Sequence, residues 1–211
     1  MPKKGPRKAS SRRWLDEHHS DTYVKQARDA GYRSRAVFKL EEIDKKDRLF
    51  KPGMTVVDLG AAPGGWSQYA AQRLKGRGHV IALDILPIEP IPDVDVIEGD
   101  FREEAPLAEL QTLLGGKSVD LVLSDMAPNL SGVGPADQAA AMYLVELAQD
   151  FAVNHLAPQG CFLTKVFQGE GFDNYFRELK QQFKVVSTRK PQASRGRSKE
   201  LYLLCQGLRL V

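Results

Sequence analysis

Short apolar runs alternate with helix-length segments from residue 54 onward, and this alternation constrains the fold more than any other feature. Between the runs, the segments at 64–75, 103–114 and 136–156 have helical length. The runs are MTVVDL (54–59), HVIALDI (79–85), VDVIEGD (94–100), VDLVLSDM (119–126) and GCFLTKVF (160–167). Strands that are apolar along their length and separated by helices predict a parallel sheet covered on both faces.

The end of the chain departs from this alternation. A helix predicted near 172–182 leads into two β-rich runs, FKVVSTR (183–189) and ELYLLCQG (200–207). The short stretch between these runs cannot hold a helical crossover, so they are predicted to pair antiparallel at one sheet edge. The predicted fold class is α/β, with a Rossmann-like, seven-stranded, mostly parallel sheet, one antiparallel edge strand and helices on both faces. This order is typical of methyltransferases rather than dehydrogenases.

The first fifty residues differ from the rest in composition. Residues 1–20 are basic and polar without periodicity, which predicts a flexible tail. Apolar residues recurring at three and four predict two short helices, at 23–30 and 36–49. We expect a single domain over 21–211, with a helical part at 21–50 and a Rossmann-like core at 54–207.

Composition gives no sign of a membrane protein or an exported one. No apolar run approaches the roughly 18 residues that span a bilayer, and the basic start MPKKGPRKASSRRW has no signal-peptide core behind it. Cys161 and Cys205 lie in strand-like apolar contexts and are predicted to be buried thiols in a reducing compartment. With only scattered histidines beside them, no metal site is predicted. We expect a cytoplasmic monomer.

The net charge of +3 hides an asymmetry along the chain. Residues 1–51 carry 15 basic and 8 acidic side chains, residues 52–176 carry 6 and 17, and residues 177–211 carry 9 and 2. If the basic ends converge in the fold, they form one positive surface suited to a polyphosphate. On charge alone, solvated helix faces and a free tail explain the pattern equally well.

Polar residues follow the predicted strands at the edge where parallel sheets bind ligands. The turn GAAPGG (60–65) lacks the G-x-G-x-x-G spacing of dinucleotide sites. Asp84, 24 residues after Gly60, is placed to accept hydrogen bonds from a ribose diol, and Asp100 from an adenine amino group. Carboxylates without a pyrophosphate-binding turn favour S-adenosylmethionine, which carries an ammonium and a sulfonium, over NAD.

The acceptor side is predicted from the fourth and fifth strands. LSDMAPNLSG (123–132) lacks the tyrosine of the Asp/Asn-Pro-Pro-Tyr motif of amino-methylating enzymes, which argues against methylation of a base nitrogen. Lys165 lies inside the apolar run FLTKVF, where a lysine is costly unless it is paired. Asp125, at the end of the adjacent strand, is its expected partner, and such a pair indicates proton handling at a hydroxyl.

Ordered motifs across residues 14–207 resemble those of the FtsJ-type 2'-O-ribose methyltransferases, and within that family those of members acting on large-subunit ribosomal RNA. The motifs are WLDEHHSDTYVKQARDAGYRSRAVFKLEEID, DLGAAPGGWSQYA, ALDILP, GDF, LSDMAPNLSG, CFLTKVFQG and KPQASRGRSKELYL. The resemblance implies methyl transfer from S-adenosylmethionine to a uridine ribose in the A loop of 23S ribosomal RNA, on the assembled large (50S) subunit.

The resemblance also implies roles for individual residues. The implied catalytic tetrad is Lys39, Asp125, Lys165 and Glu200. The implied cofactor contacts are Gly64, Trp66, Asp84, Asp100 and Asp125, although Trp66 by itself would be predicted as a helix-packing aromatic. With an RNA acceptor, the basic ends are predicted to bind phosphates through Arg33, Arg35, Arg189, Lys190, Arg195, Arg197 and Lys199.

Several alternatives stay open at the level of sequence. Lys165 either accepts the hydroxyl proton as a neutral base or stays charged and orients the hydroxyl while the proton leaves later. The same tetrad serves relatives that methylate transfer RNA or messenger caps, although the compact chain favours ribosomal RNA. A ribosome-assembly factor that mainly binds RNA is an alternative outside the enzymes, and the complete tetrad argues against it. A dehydrogenase is the weakest alternative.

Overall fold

The structure, a computed structural model, describes residues 21–129, 131–194 and 198–209. The predicted tail at 1–20 lies outside the described residues, as do Arg195 and Arg197. The helices in the described part are α1 (Thr22–Asp29), α2 (Val37–Asp47), α3 (Gly65–Leu74), α4 (Glu104–Leu114), α5 (Gly134–His155) and α6 (Phe172–Gln182). The strands there are β1 (Thr55–Leu59), β2 (His79–Asp84), β3 (Asp95–Glu98), β4 (Val119–Ser124), β5 (Leu156–Phe167), β6 (Phe183–Arg189) and β7 (Glu200–Leu208).

The strands form one seven-stranded sheet in the order β3-β2-β1-β4-β5-β7-β6. The pairs among β1 to β5 are parallel, and β7 pairs antiparallel with both β5 and β6. The predicted fold class is confirmed, including an antiparallel pair at one edge. One detail needs correction, because the antiparallel strand β7 is not the edge strand itself: β6 lies outside it. A short connection lets β7 return beside β6, and β7 then fills the place next to β5.

Two apolar layers cover the sheet. On one face, α4, α5 and α6 pack on residues such as Val57 and Leu59 of β1. On the other face, α2 and α3 pack on Val56 and on side chains of β4, β5 and β7. Because successive residues of a strand point to opposite faces, a continuous apolar run serves both layers. Cys205 is buried in the first layer, as predicted, whereas Cys161 is half-buried beside the second.

A buried carboxylate fixes α2 against α3. Asp44 is 2% exposed and accepts hydrogen bonds from the Leu49 main-chain N–H at 2.9 Å and from the Tyr69 hydroxyl at 2.9 Å. The Arg73 guanidinium lies 2.7 Å from the same carboxylate. A buried acid with this many donors is stabilised rather than strained. The network holds α2 in place, and α2 carries Lys39.

Two further findings concern the described residues as a whole. None of their helices has the length and apolar character needed to cross a membrane. Nor do they bring together a group of three or more His, Cys, Asp and Glu side chains suited to a metal ion.

Candidate active site

The carboxyl ends of β1, β2, β4 and β5 meet at one edge of the sheet because these strands are parallel. The reversed strand β7 begins at this edge with Glu200, which pairs in register with Phe167 at the end of β5. Residues from distant parts of the sequence therefore converge at a single edge, where open α/β sheets bind ligands.

Lys165 and Asp125 form the ion pair expected from the sequence. The Lys165 ammonium lies 3.1 Å from the Asp125 Oδ1 atom, and it donates to the Asp125 main-chain carbonyl at 2.6 Å. The lysine side chain is 8% exposed and the aspartate side chain 20% exposed. A lysine has three N–H donors, so two contacts to Asp125 fix its direction and leave one donor for another group.

Lys39 and Glu200 form a second ion pair. The Lys39 ammonium lies 2.7 Å from Glu200 Oε1, and both side chains are nearly buried. Burial by itself raises the pKa of Glu200, but the charge and hydrogen bond of Lys39, with help from Ser194 and Lys165, outweigh burial and leave that pKa below its usual value. Glu200 is therefore ionised at neutral pH, and the four tetrad residues predicted from the resemblance lie in two adjacent pairs.

Tyr202 links the two pairs and was missed by sequence reasoning. Its hydroxyl donates to Asp125 Oδ1 at 2.8 Å, and the Lys39 ammonium lies 5.7 Å from its ring centroid. Burial, and then the negative charges of Asp125 and Glu200, raise the Tyr202 pKa well above its usual value, so the hydroxyl keeps its proton and acts as a donor. One signal was present in the sequence: Glu200 and Tyr202 are two residues apart in a strand and must share a face.

The donor side lies at the ends of β1 and β2. The Asp84 carboxylate is 9% exposed and accepts from the Ala62 and Leu86 main-chain N–H groups, both at 2.8 Å. Gly64 has a φ of 102°, and a Cβ atom there would lie 2.6 Å from Ile91 Cδ1. The turn after β1 thus needs glycine both for its backbone conformation and for space.

Asp58 is a second residue that the sequence analysis did not assign. It is 1% exposed near the carboxyl end of β1, and the Ser67 hydroxyl donates to its Oδ2 atom at 2.6 Å. Burial and the charges of Asp125 and Asp84 raise the Asp58 pKa to about 7. The hydrogen bond from Ser67 acts in the opposite direction but is outweighed. The available signal was an acid inside an otherwise apolar strand. Burial is the main cause of the raised pKa, and the negative charges of Asp125 and Asp84 add to it.

Two predicted cofactor residues have protein partners. Asp100 is held by the Arg102 guanidinium, whose Nε atom lies 2.8 Å from both carboxylate oxygens, and this hydrogen bonding lowers the pKa of Asp100. Trp66 is 3% exposed, its indole N–H donates to the Ala36 carbonyl at 2.8 Å, and its ring packs 5.7 Å from that of Tyr202. Any hydrogen bond from Trp66 to a cofactor must therefore come from its main chain.

The described parts of the two basic segments lie against each other, which is the condition for a single positive surface. Glu42 of α2 accepts from the main-chain N–H groups of Gln192 and Ala193, at 2.6 and 2.9 Å. Asp47, at the end of α2, lies 2.6 Å from the Arg189 guanidinium. These contacts join the N-terminal helices to the β6–β7 connection beside the tetrad.

The predicted phosphate-binding residues mostly have partners inside the protein. Arg33 donates to main-chain carbonyls, and Arg35 binds Asp21 and the Ala193 carbonyl. Arg189 binds Asp47, and Lys190 donates to the carbonyls of Ser198 and Glu200. Lys199 is exposed, while Arg195 and Arg197 lie outside the described residues. The described basic segments lie together as expected, but many of their side-chain N–H groups already bind acceptors within the protein.

The strand order with a reversed β7, and a ligand edge lined by carboxylates and lysines, define a Rossmann-like methyltransferase. More particularly, the chain belongs to the FtsJ-like methyltransferase family, whose model matches residues 32–208. It is 66% identical over 204 residues to the ribosomal RNA large subunit methyltransferase E of Alkalilimnicola ehrlichii, covering 97% of this chain and 98% of the relative. It is 62% identical over 202 residues to the protein of the same name from Dichelobacter nodosus, and this match covers 95% of this chain and 96% of the relative.

A solved structure gives the same picture. A Plasmodium falciparum protein described as a ribosomal RNA methyltransferase superimposes with a TM-score of 0.77 at 29% identity. The match covers 84% of this chain and 98% of that protein. The similarity therefore extends over the sheet and its helices, not only over the motifs.

Proposed function

We propose that this protein transfers a methyl group from S-adenosylmethionine to the 2'-hydroxyl of a uridine in the A loop of 23S ribosomal RNA, with the assembled large subunit as substrate. The observation that carries this proposal is the pairing of Lys165 with Asp125 and of Lys39 with Glu200, joined through Tyr202. One buried and one nearly buried lysine beside the carboxylates at the strand ends suit a hydroxyl acceptor. The names of the curated relatives point to large-subunit ribosomal RNA.

The donor edge fits S-adenosylmethionine by its charge. Burial raises the pKa of Asp58, and the charges of Asp125 and Asp84 raise it further, so a ligand with an ammonium and a sulfonium would reduce the repulsion among these carboxylates. Asp84 would accept from the ribose hydroxyls, Asp100 from the adenine amino group, and the main chain at Gly64 and Trp66 would line the turn. When bound, the cofactor supplies an electrophilic methyl group.

The tetrad residues would then position the acceptor ribose and handle its proton. The N–H donor of Lys165 that is not used by Asp125 would face the 2'-oxygen, and Lys39 and Glu200 would orient the ribose. Two proton paths suit this arrangement: Lys165 accepts the proton during attack, or it remains an ammonium and the proton leaves to solvent afterwards. A log-linear rise of the single-turnover rate with pH indicates the first path, and a flat profile the second.

The contact between the described basic segments beside the tetrad supports a large, structured RNA as acceptor. Contacts to phosphates position RNA without reading its sequence, so the target would be selected by shape and by the surrounding particle. All four tetrad residues come from one chain, so a monomer suffices, and we propose that it acts in the cytoplasm. RNA affinity should fall steeply with added salt.

The decisive experiment is methyl transfer from labelled S-adenosylmethionine to undermethylated large subunits, free 23S RNA and transfer RNA, with the product nucleotide mapped. We expect labelling of one uridine ribose in the large subunit. A matched subunit carrying a 2'-deoxy nucleotide at that position should accept no label. Labelling of a base, or of transfer RNA alone, would contradict the proposal. Full rescue of subunit maturation by a Lys165→Ala variant would favour an assembly factor.

A further inference from the structure

Arg33 lies in the turn between α1 and α2, and its guanidinium contacts the two loops that follow β1 and β2. One terminal nitrogen donates to the Glu89 carbonyl at 2.5 Å and to the Pro63 carbonyl at 3.4 Å. The other terminal nitrogen donates to the Pro90 carbonyl at 2.6 Å. Pro63 belongs to the glycine turn after β1, and Glu89 and Pro90 belong to the loop after Asp84. One side chain thus joins both loops beside the carboxylates of the donor edge.

The same loops pack tightly at Gly64. A Cβ atom at this position would lie 2.6 Å from Ile91 Cδ1, 3.2 Å from Ile88 Cγ2 and 3.3 Å from Arg33 Cδ. Ile88 and Ile91 are 9% and 6% exposed and are buried with Ala61 and Ala82. The stem of Arg33 therefore presses on the glycine turn while its head holds the neighbouring loop, and the relative position of the two loops depends on it.

The main chain of the α1–α2 turn is fixed as well. The Arg33 N–H donates to Gln68 Oε1 at 3.2 Å, and the Gln68 side-chain amide donates to the Gly31 carbonyl at 2.9 Å. A Cβ on Gly65 would lie 2.6 Å from Ser34 Oγ, so this turn lies directly against the start of α3. Arg33 is therefore held at both ends, and swinging its guanidinium toward an RNA phosphate would break three hydrogen bonds to carbonyls.

We propose that Arg33 is a positioning residue of the donor pocket, which clamps the loops after β1 and β2 around the cofactor, rather than a phosphate contact for RNA. This inference rests on the proposed use of S-adenosylmethionine. Guanidinium geometry suits the role, because its fixed fork reaches carbonyls in two separate loops, whereas an ammonium is a single point. The N-terminal helices are thereby linked mechanically to the methyl donor.

The test compares Arg33→Lys, Arg33→Ala and Arg28→Ala by calorimetric titration with S-adenosylmethionine and by binding to undermethylated large ribosomal subunits. Arg28 is a matched control, since it is an exposed arginine of α1 whose side chain is 81% exposed. We expect both Arg33 variants to bind S-adenosylmethionine about tenfold more weakly, the size of losing hydrogen bonds from one charged group. Arg28→Ala should bind it like the wild type.

RNA binding separates the clamp from a phosphate contact. Arg33→Lys keeps its charge and should retain wild-type RNA affinity and salt dependence while losing cofactor affinity. Arg33→Ala should lose no more RNA affinity than Arg28→Ala. Unchanged cofactor affinity in Arg33→Lys would overturn the proposal, as would loss of RNA affinity alone in Arg33→Ala. If the wild type binds no S-adenosylmethionine, it is the proposed function that fails.

Discussion

The carboxylates of the donor side and of the tetrad differ in what neutralises them. Among the described residues, Asp84 accepts hydrogen bonds only from main-chain N–H groups and Asp58 accepts one from a serine hydroxyl, so the donors of both are neutral. Asp125 pairs with Lys165 at 3.1 Å, and Glu200 pairs with Lys39 at 2.7 Å. Asp100 is the exception on the donor side, because the Arg102 guanidinium pairs with it. Asp84 keeps its negative charge without a cationic partner among the described residues, which suits a cationic ligand. The second side is balanced, which suits orientation of a neutral hydroxyl and control of its proton.

The largest effect is expected from removing Lys165, one of the two lysines of the tetrad. Lys165→Ala should lower kcat about a thousandfold, within the range for loss of a group that handles a proton, because no other donor is positioned beside Asp125 Oδ1 except Tyr202 among the described residues. The affinity for S-adenosylmethionine should change little. Radiolabel transfer and calorimetry measure the two quantities. Lys180→Ala, a change of the same type on α6, is the control; equal rates in the two variants would refute the comparison.

A change on the donor side should have the opposite signature. Asp84→Asn replaces an oxygen that accepts from a main-chain N–H with an amide donor, so we expect KM for S-adenosylmethionine to rise about thirtyfold with a small change in kcat. Asp95→Asn, an equal charge change at an exposed site of β3, should behave like the wild type. A loss confined to kcat would contradict the proposal that the donor side binds the cofactor while the tetrad acts on the acceptor hydroxyl.

Tyr202→Phe tests the hydrogen bond that links the two ion pairs of the tetrad. It keeps the ring under Lys39 but removes the hydroxyl that donates to Asp125. We expect kcat to fall about tenfold with KM for S-adenosylmethionine unchanged, since one buried hydrogen bond is lost. Tyr175→Phe is a matched control, because Tyr175 is also buried and donates to the Val145 carbonyl on the opposite face of the sheet. Equal losses of kcat in the two variants would indicate a purely structural role.

The last prediction concerns stability rather than catalysis. A pKa of about 7 for Asp58 means that the folded protein retains a proton that the unfolded chain loses near pH 4. The stabilisation is complete below the unfolded value and is lost as pH rises through about 7, by up to ~4 kcal/mol. Asp58→Asn should therefore gain stability relative to the wild type as pH rises from about 5 to 8. Urea unfolding without cofactor measures this, and parallel pH curves would contradict it.

The sequence predicted the elements well, since hydrophobic patterning is local. All seven described strands lie at the predicted runs, and the main shift is at β5, which begins at Leu156 because that residue pairs with Val119. The Lys165–Asp125 pair was also predictable, because neighbouring parallel strands bring their carboxyl ends together. The position of β6 outside β7 was not predictable. The short connection between these strands excludes a helical crossover, but it does not determine which of the two pairs with β5.

Long-range partners explain the remaining differences. Arg33 donates to a carbonyl 56 residues away, and Arg189 binds a carboxylate 142 residues away. Sequence reasoning treated both as charges available to phosphate. Tyr202 was missed for the same reason, because its contact with Asp125 depends on the register of β7 against β5, in which Tyr202 lies opposite Lys165.

By itself, the sequence determined which strands form and which chemical groups stand at their ends, because apolar patterning and residue identity are properties of short segments. Only the tertiary structure decided which of those groups are already neutralised by the protein and which remain for ligands. The physical reason is that an ion pair depends on a separation of a few ångströms between segments far apart in the chain, and strand register and helix docking set that separation.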